Sequence, residues 1–87
     1  MTTILEKPVT TPVLAAASRV RLDRVSAALW RVVDTRSGRV VGHLAAIAST
    51  TGTRYRAQRF QTSTGSFRPI GEFWSAAEAA ETLRLSR

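Results

Sequence analysis

The spacing of apolar residues changes partway along the chain. Between Ala28 and Gln61, short runs rich in β-branched and aromatic residues are separated by polar turns; after Ser75 the apolar positions fall at helical intervals. Ala28–Asp34 (Ala-Leu-Trp-Arg-Val-Val-Asp) predicts a first strand, closed by the turn Thr35-Arg36-Ser37-Gly38. Arg39–Ala48 predicts a second strand ending at Ser49-Thr50-Thr51-Gly52, and Thr53–Gln61 a third, with Tyr55 and Phe60 as its aromatic members. Thr62–Ser66 is a polar loop. Phe67–Ile70 then fits either a short fourth strand or an extended lead-in, because Pro69 has no N–H and cannot occupy a central ladder position.

Ser75, followed three residues later by Glu78, has the spacing of a capping box and sets the helix start at Ala76. Ala76, Ala79, Ala80 and Leu83 share one face, a narrow stripe of small side chains that can approach a neighbour closely. A helix of about 10 residues is marginal alone in water, so it needs a surface to pack on. Trp30 and Phe73 are assigned to the core and Trp74 to a partly exposed site, while Phe60 would be flipped by any bulge in the third strand. Upstream, Met1–Pro12 reads as a flexible tail. Val13–Val25 mixes the helix-favouring Ala15-Ala16-Ala17 with the alternating Arg19–Asp23, and an irregular or weakly helical basic arm is expected. The expected architecture is α+β: a flexible or weakly structured arm over residues 1–26, then a β-β-β-α domain over 27–87. In that domain a three-stranded antiparallel meander carries one C-terminal helix on one face.

Strand alternation assigns the two faces. Trp30 and Val32, then Val40, Gly42 and Leu44, then Tyr55 and Ala57 are expected under the helix, with Gly42 letting it come close. The free face then carries Arg31, Val33, Val41, His43, Ala45, Arg54, Arg56 and Gln58. The opposite register would bury Arg31, Arg54 and Arg56 among few carboxylates, which is costly. Arg36, Arg39, Arg59 and Arg68 lie near the sheet edges, and Arg19, Arg21 and Arg24 could add to a basic surface.

Charge turns this arrangement into a functional expectation. Twelve arginines and one lysine against six acids give a net charge of +7, which is the electrostatic footprint of a nucleic-acid binder. With no cysteine and one histidine, disulfides and thiolate metal sites are excluded and a zinc site lacks ligands. There is no phosphate-cradling glycine loop, no paired carboxylates and no nucleophile elbow. His43 has no second histidine or adjacent carboxylate to work with. A chain of 87 residues buries only somewhat more than about 60% of its unfolded surface, leaving little core to hollow out. No enzyme activity, cofactor or metal is therefore expected. No run approaches the roughly 20 apolar residues of a membrane span, and Val13–Ala17 is too short for a signal-peptide core, so no membrane association and a cytoplasmic location are expected.

The stretch Ile70-Gly71-Glu72-Phe73-Trp74-Ser75-Ala76-Ala77-Glu78-Ala79-Ala80 resembles the end of the AP2-type DNA-binding domain, where a strand closing in Leu-Gly-x-Phe leads through a capping Thr into an Ala/Glu-rich helix. The order of elements from Leu29 to Leu83 is also similar to the N-terminal arm-binding domains of tyrosine-type phage integrases. In both families the exposed sheet face enters the major groove, and the resemblance implies the same use of the free face here.

The sequence reading is thus a small, basic, non-enzymatic protein that binds double-stranded DNA. The candidate interface comprises Arg31, Arg39, His43, Arg54, Arg56, Gln58, Arg59 and Arg68, with arginine and glutamine suited to base edges and flanking arginines to phosphates. The alternatives are a protein-interaction module or small accessory subunit with no nucleic-acid role, acting with a protein partner or a second copy of itself, and an RNA binder.

Overall fold

The computed structural model describes residues 9–14 and 18–86. It is α+β, with an open antiparallel sheet and one C-terminal helix, but the sheet has five strands rather than the expected three. They are β1 (Val20–Ser26), β2 (Leu29–Asp34), β3 (Val40–Ser49), β4 (Gly52–Gln61) and β5 (Ser66–Phe73), followed by α1 (Ala76–Leu85). Spatial order follows chain order, so the sheet is a simple meander.

Both additional strands have a physical reason. β1 lies inside the segment expected to be a basic arm. Its alternation places Val20 and Leu22 on the helix side, Leu22 opposite Val32, where Val20 is buried and Leu22 packs against the core. That burial favours a strand over an irregular arm; Ala15–Ala17, which argued for helix, are outside the described residues. β5 contains Pro69, which is tolerated because β5 is an edge strand and the register beside it shifts between Ala57 and Gln58. Part of the expected N-terminal tail is also docked. The Val9 N–H donates to the Ala27 carbonyl at 2.8 Å, and Thr11 Oγ1 accepts from the Trp30 indole N–H at 3.0 Å. Arg24 clasps the same segment through the Val9 carbonyl and Thr11 Oγ1 while lying over the Trp30 ring. Residues 1–8 of that tail are outside the described residues.

The core lies between the sheet and α1. Trp30, Val32 and Leu44 from the sheet and Leu83 from the helix are its largest fully buried side chains, with Ala57, Ala79 and Ala80 also completely enclosed. The face assignment made from alternation holds for Trp30, Val32, Gly42, Leu44 and Ala57. Phe73, expected in the core, is half-buried against it, and Trp74 is 61% exposed. Val33, Val40 and Val41 are corrections. Gly42 pairs with Val32 but Val40 pairs with Val33, so Val41 is an extra residue in a β-bulge. Val41 packs on the core, Val40 turns outward to 40% exposure, and Val33 is buried although it is on the open side.

The helix begins where expected. Ser75 is extended and its Oγ accepts from the Glu78 N–H at 3.3 Å, while Arg84 in the last turn complements the helix dipole and pairs with Glu81. Ala76, Ala79, Ala80 and Leu83 face the sheet. A Cβ on Gly42 would stand 2.1 Å from the Gln58 carbonyl oxygen and 2.9 Å from Leu83 Cδ2, so glycine is required there first by the β4 backbone alongside and then by the helix side chain above. By contrast, Gly38 has φ +72 and nothing within 4 Å of its would-be Cβ. Gly42→Ala is therefore expected to destabilise by about 3 kcal/mol or more through overpacking against backbone. Gly38→Ala should lose only about 1 kcal/mol, from backbone strain alone. Urea denaturation of the two variants checks the order, and a well-tolerated Gly42→Ala would contradict the close approach of the Gln58 backbone to Gly42.

Candidate nucleic-acid interface

The face opposite α1 carries a straight row of register partners across all five strands: Asp23, Arg31, His43, Gln58 and Pro69. Three of the eight candidate residues, Arg31, His43 and Gln58, are therefore side by side. Arg31 is exposed, and His43 and Gln58 are half-buried. At the start of the row the Asp23 carboxyl sits below the usual carboxylate range, mainly through its hydrogen bond from Arg21 (2.8 Å), so an anion stands beside Arg31.

Arg54 and Arg56 are on this same face, but they are not free. Glu72 of β5 is the register partner of Arg56 and accepts from its Nε and Nη2 at 3.2 and 2.9 Å. Arg54 Nε lies 3.7 Å from the same carboxylate, an ion pair without a hydrogen bond, and that nitrogen is buried and otherwise unpartnered. The Arg54 guanidinium also lies over the exposed Trp74 ring, 5.6 Å from its centroid. Glu72 was missed in the sequence reading because the strand was ended at Ile70. Plain alternation from Arg68 would not have placed it either, because the register shift between Ala57 and Gln58 leaves Ile70 as an extra residue and turns Glu72 to the arginine face.

Arg59 and Arg68 lie on the other face. They belong to the helix-side row Leu22, Val32, Gly42, Arg59, Arg68, in which the two arginines are directly opposed. Arg68 is exposed and Arg59 half-buried, for a reason of length. The 10-residue helix is about 15 Å long, whereas the 10-residue strands β3 and β4 run about 33 Å. α1 starts at the far end of the sheet and stops short, leaving an overhang at the end that bears the β2–β3 and β4–β5 turns. A groove of about 470 Å³ lies there, lined among others by Arg39, Arg59, Val41, Thr62 and Ser86. Asp34 also lines it, but its Oδ1 accepts from the Arg36 and Ser37 N–H groups of its own turn, at 2.8 and 3.4 Å.

Sorting the cations by partner gives the electrostatic pattern. Arg21, Arg54, Arg56 and Arg84 are ion-paired, and Arg24 is held by carbonyl oxygens. Among the described residues, Arg19, Arg31, Arg36, Arg39, Arg59 and Arg68 have no carboxylate within ion-pair distance. All of these except Arg31 are at the overhanging end: at the start of β1, in the β2–β3 turn, late in β4 or early in β5. Sequence reasoning placed several of them near edges, but their gathering at one end depends on the meander having five strands.

Phe60 joins the open face. It opposes Phe67 with ring centroids 5.1 Å apart, and Phe67 in turn stacks on His43 at 3.8 Å and 16°. Burial, and secondarily the Arg31 charge, push the His43 pKa below the ordinary histidine value. Among the described residues there is no cluster suited to a metal ion, and no helix is long and apolar enough to cross a membrane. No family model, curated protein or solved structure matches the chain.

A His43 pKa lowered by folding means that the unfolded chain binds the proton more readily. Its contribution to stability is present above the unfolded value and is lost as pH falls through and below it. In an NMR titration the His43 midpoint should lie below 6.5, and Arg31→Gln should raise it. Urea unfolding should show less stability at about pH 5 than at about pH 7.5, with His43→Gln reducing the difference. A His43 midpoint at or above the free-histidine value would refute the burial described.

Proposed function

We propose that this protein binds nucleic acid, with duplex DNA as the ligand, and that phosphate contacts from its unpaired arginines dominate the affinity. The observation that carries this reading is the gathering of Arg19, Arg36, Arg39, Arg59 and Arg68 at one end of the sheet without a carboxylate at ion-pair distance, while Arg21 and Arg84 each have one and Arg54 and Arg56 share Glu72. Unpaired guanidiniums crowded on a small domain repel one another, and a polyanion relieves that repulsion while releasing its counterions.

Sheet width modifies the mode implied by the family resemblance. Five strands spaced about 4.8 Å apart span about 19 Å, whereas the major groove is about 12 Å wide. Three strands would fit that groove face-on; five do not. The reading favoured here has the turn-bearing end engaging the phosphate backbone, with the Arg31, His43 and Gln58 row lying across the duplex rather than inserted in it. Glu72 works against binding, since it holds Arg54 and Arg56 and repels phosphate.

In a mobility-shift assay on random duplex DNA, log affinity should fall against log salt with a slope of about −3 to −4.5, for three to five phosphates neutralised. The combined Arg39→Gln, Arg59→Gln, Arg68→Gln variant should make the slope shallower by about 2.7. Arg54→Ala with Arg56→Ala should have a much smaller effect, and Glu72→Gln should tighten binding. Salt-independent binding, or full affinity in the triple variant, would overturn the proposal; stronger competition by duplex RNA or single strands would replace duplex DNA as the ligand.

A further inference from the structure

The groove at the overhanging end has features that general phosphate contact does not require. Arg39 and Arg59 line it, and Arg68 stands directly opposite Arg59 on the neighbouring strand. Like charges facing each other across a strand pair destabilise a sheet, so this pair is poised to receive an anion. Asp34, the one carboxylate in the lining, is engaged by the N–H groups of its own turn. Ser37, Thr62 and Ser86 add hydroxyls; Ser37 Oγ accepts from the Arg39 N–H at 3.2 Å, which leaves its proton free to donate.

We propose that this groove binds a phosphomonoester: the terminal phosphate of a nucleic-acid strand or the phosphate of a free mononucleotide. The inference rests on the nucleic-acid reading for the first source and is independent of it for the second. Charge favours a monoester over an internal diester. A phosphodiester carries one negative charge, whereas a monoester carries about −1.5 to −2 at neutral pH, a closer match to Arg39, Arg59 and Arg68 together. Size favours more than a bare ion, since about 470 Å³ lies in the range of small-molecule sites, about 300–1,000 Å³. Ser86 at the helix terminus, Ser37 of the β2–β3 turn and Thr62 at the β4–β5 turn border the groove, so its polar groups come from three separate elements and converge on one spot. Arginine is the residue suited to this role, because its fork of donors meets phosphate oxygens in pairs.

The test compares binding of the full chain to one DNA hairpin bearing a 5′-phosphate, the same hairpin with a 5′-hydroxyl, and a closed dumbbell of the same stem, with dTMP and thymidine as competitors. The phosphorylated hairpin should bind about tenfold more tightly than the other two at about pH 7.5. That preference should shrink below about pH 6 as the phosphate takes up its second proton. It should vanish in Arg59→Gln and, separately, in Arg39→Gln, each confirmed as folded by its thermal melt. dTMP should compete only against the phosphorylated hairpin, and thymidine not at all. Equal binding of all three DNAs would overturn the groove assignment while leaving nucleic-acid binding intact. Binding of dTMP that is lost in Arg59→Gln, with no hairpin bound, would support the groove as a mononucleotide site and overturn the nucleic-acid reading instead. Failure to bind both dTMP and the phosphorylated hairpin would overturn the groove outright.

Discussion

Leu83 resting on Gly42 is the contact on which the arrangement depends. The helix brings one large side chain and three alanines to the sheet, and alanines hold a helix only if the two backbones come close. A glycine on β3 permits that approach, and Leu83 fills the space at 1% exposure. Burying a leucine is worth about 1.5–3 kcal/mol, a large share of the net stability of a small domain. Because the helix is fixed on this face, the other face is left to solvent, and because Leu83 is near the helix C-terminus, coverage ends there. Arg59, next to Gly42 in the same row, is only half-buried.

Much of the fold was legible in local pattern. The helix start was set by Ser75 and its small-residue stripe, and the three central strands by β-branched runs between polar turns. The helix-facing positions Trp30, Val32, Gly42, Leu44 and Ala57 follow from alternation. What escaped depends on tertiary context. The bulge at Val41 inverts the expected placement of Val40 and Val41, and the run Val40-Val41 does not show which of the two turns inward. β1 is a strand because β2 offers it an edge, a gain invisible within Arg19–Asp23. Pro69 suggested an end to pairing, when an edge position only needed to lose one side of its ladder.

The site was less legible than the fold for the same reason. Arg31, His43 and Gln58 fall in one row because alternation places them and antiparallel register aligns them. Arg54 and Arg56 seemed to be the centre of a basic surface because no acid lies near them in sequence. Glu72 reaches them only through the β4–β5 pairing. Adding β5 thus leaves most of the unpaired guanidiniums at the end of the sheet rather than in the middle of the face, and adding both edge strands makes the face too broad for the groove that a three-stranded sheet would fit.

The hydrogen bond from Trp30 to Thr11 has a bearing on what constitutes the smallest independently folding piece of this chain. The indole is completely enclosed, and its one donor is satisfied from outside the sheet, by a residue nineteen positions upstream. A fragment cut at the first strand would keep every ladder bond and the whole helix, yet lose the Thr11 acceptor of the indole and the Val9 and Leu14 side chains packed against the core, exposing apolar surface that the longer chain buries. It would also strip Arg24 of two of its partners. The natural boundary of the folding unit is therefore ahead of Val9 rather than at Val20, and the polar, proline-bearing lead is part of the architecture it precedes.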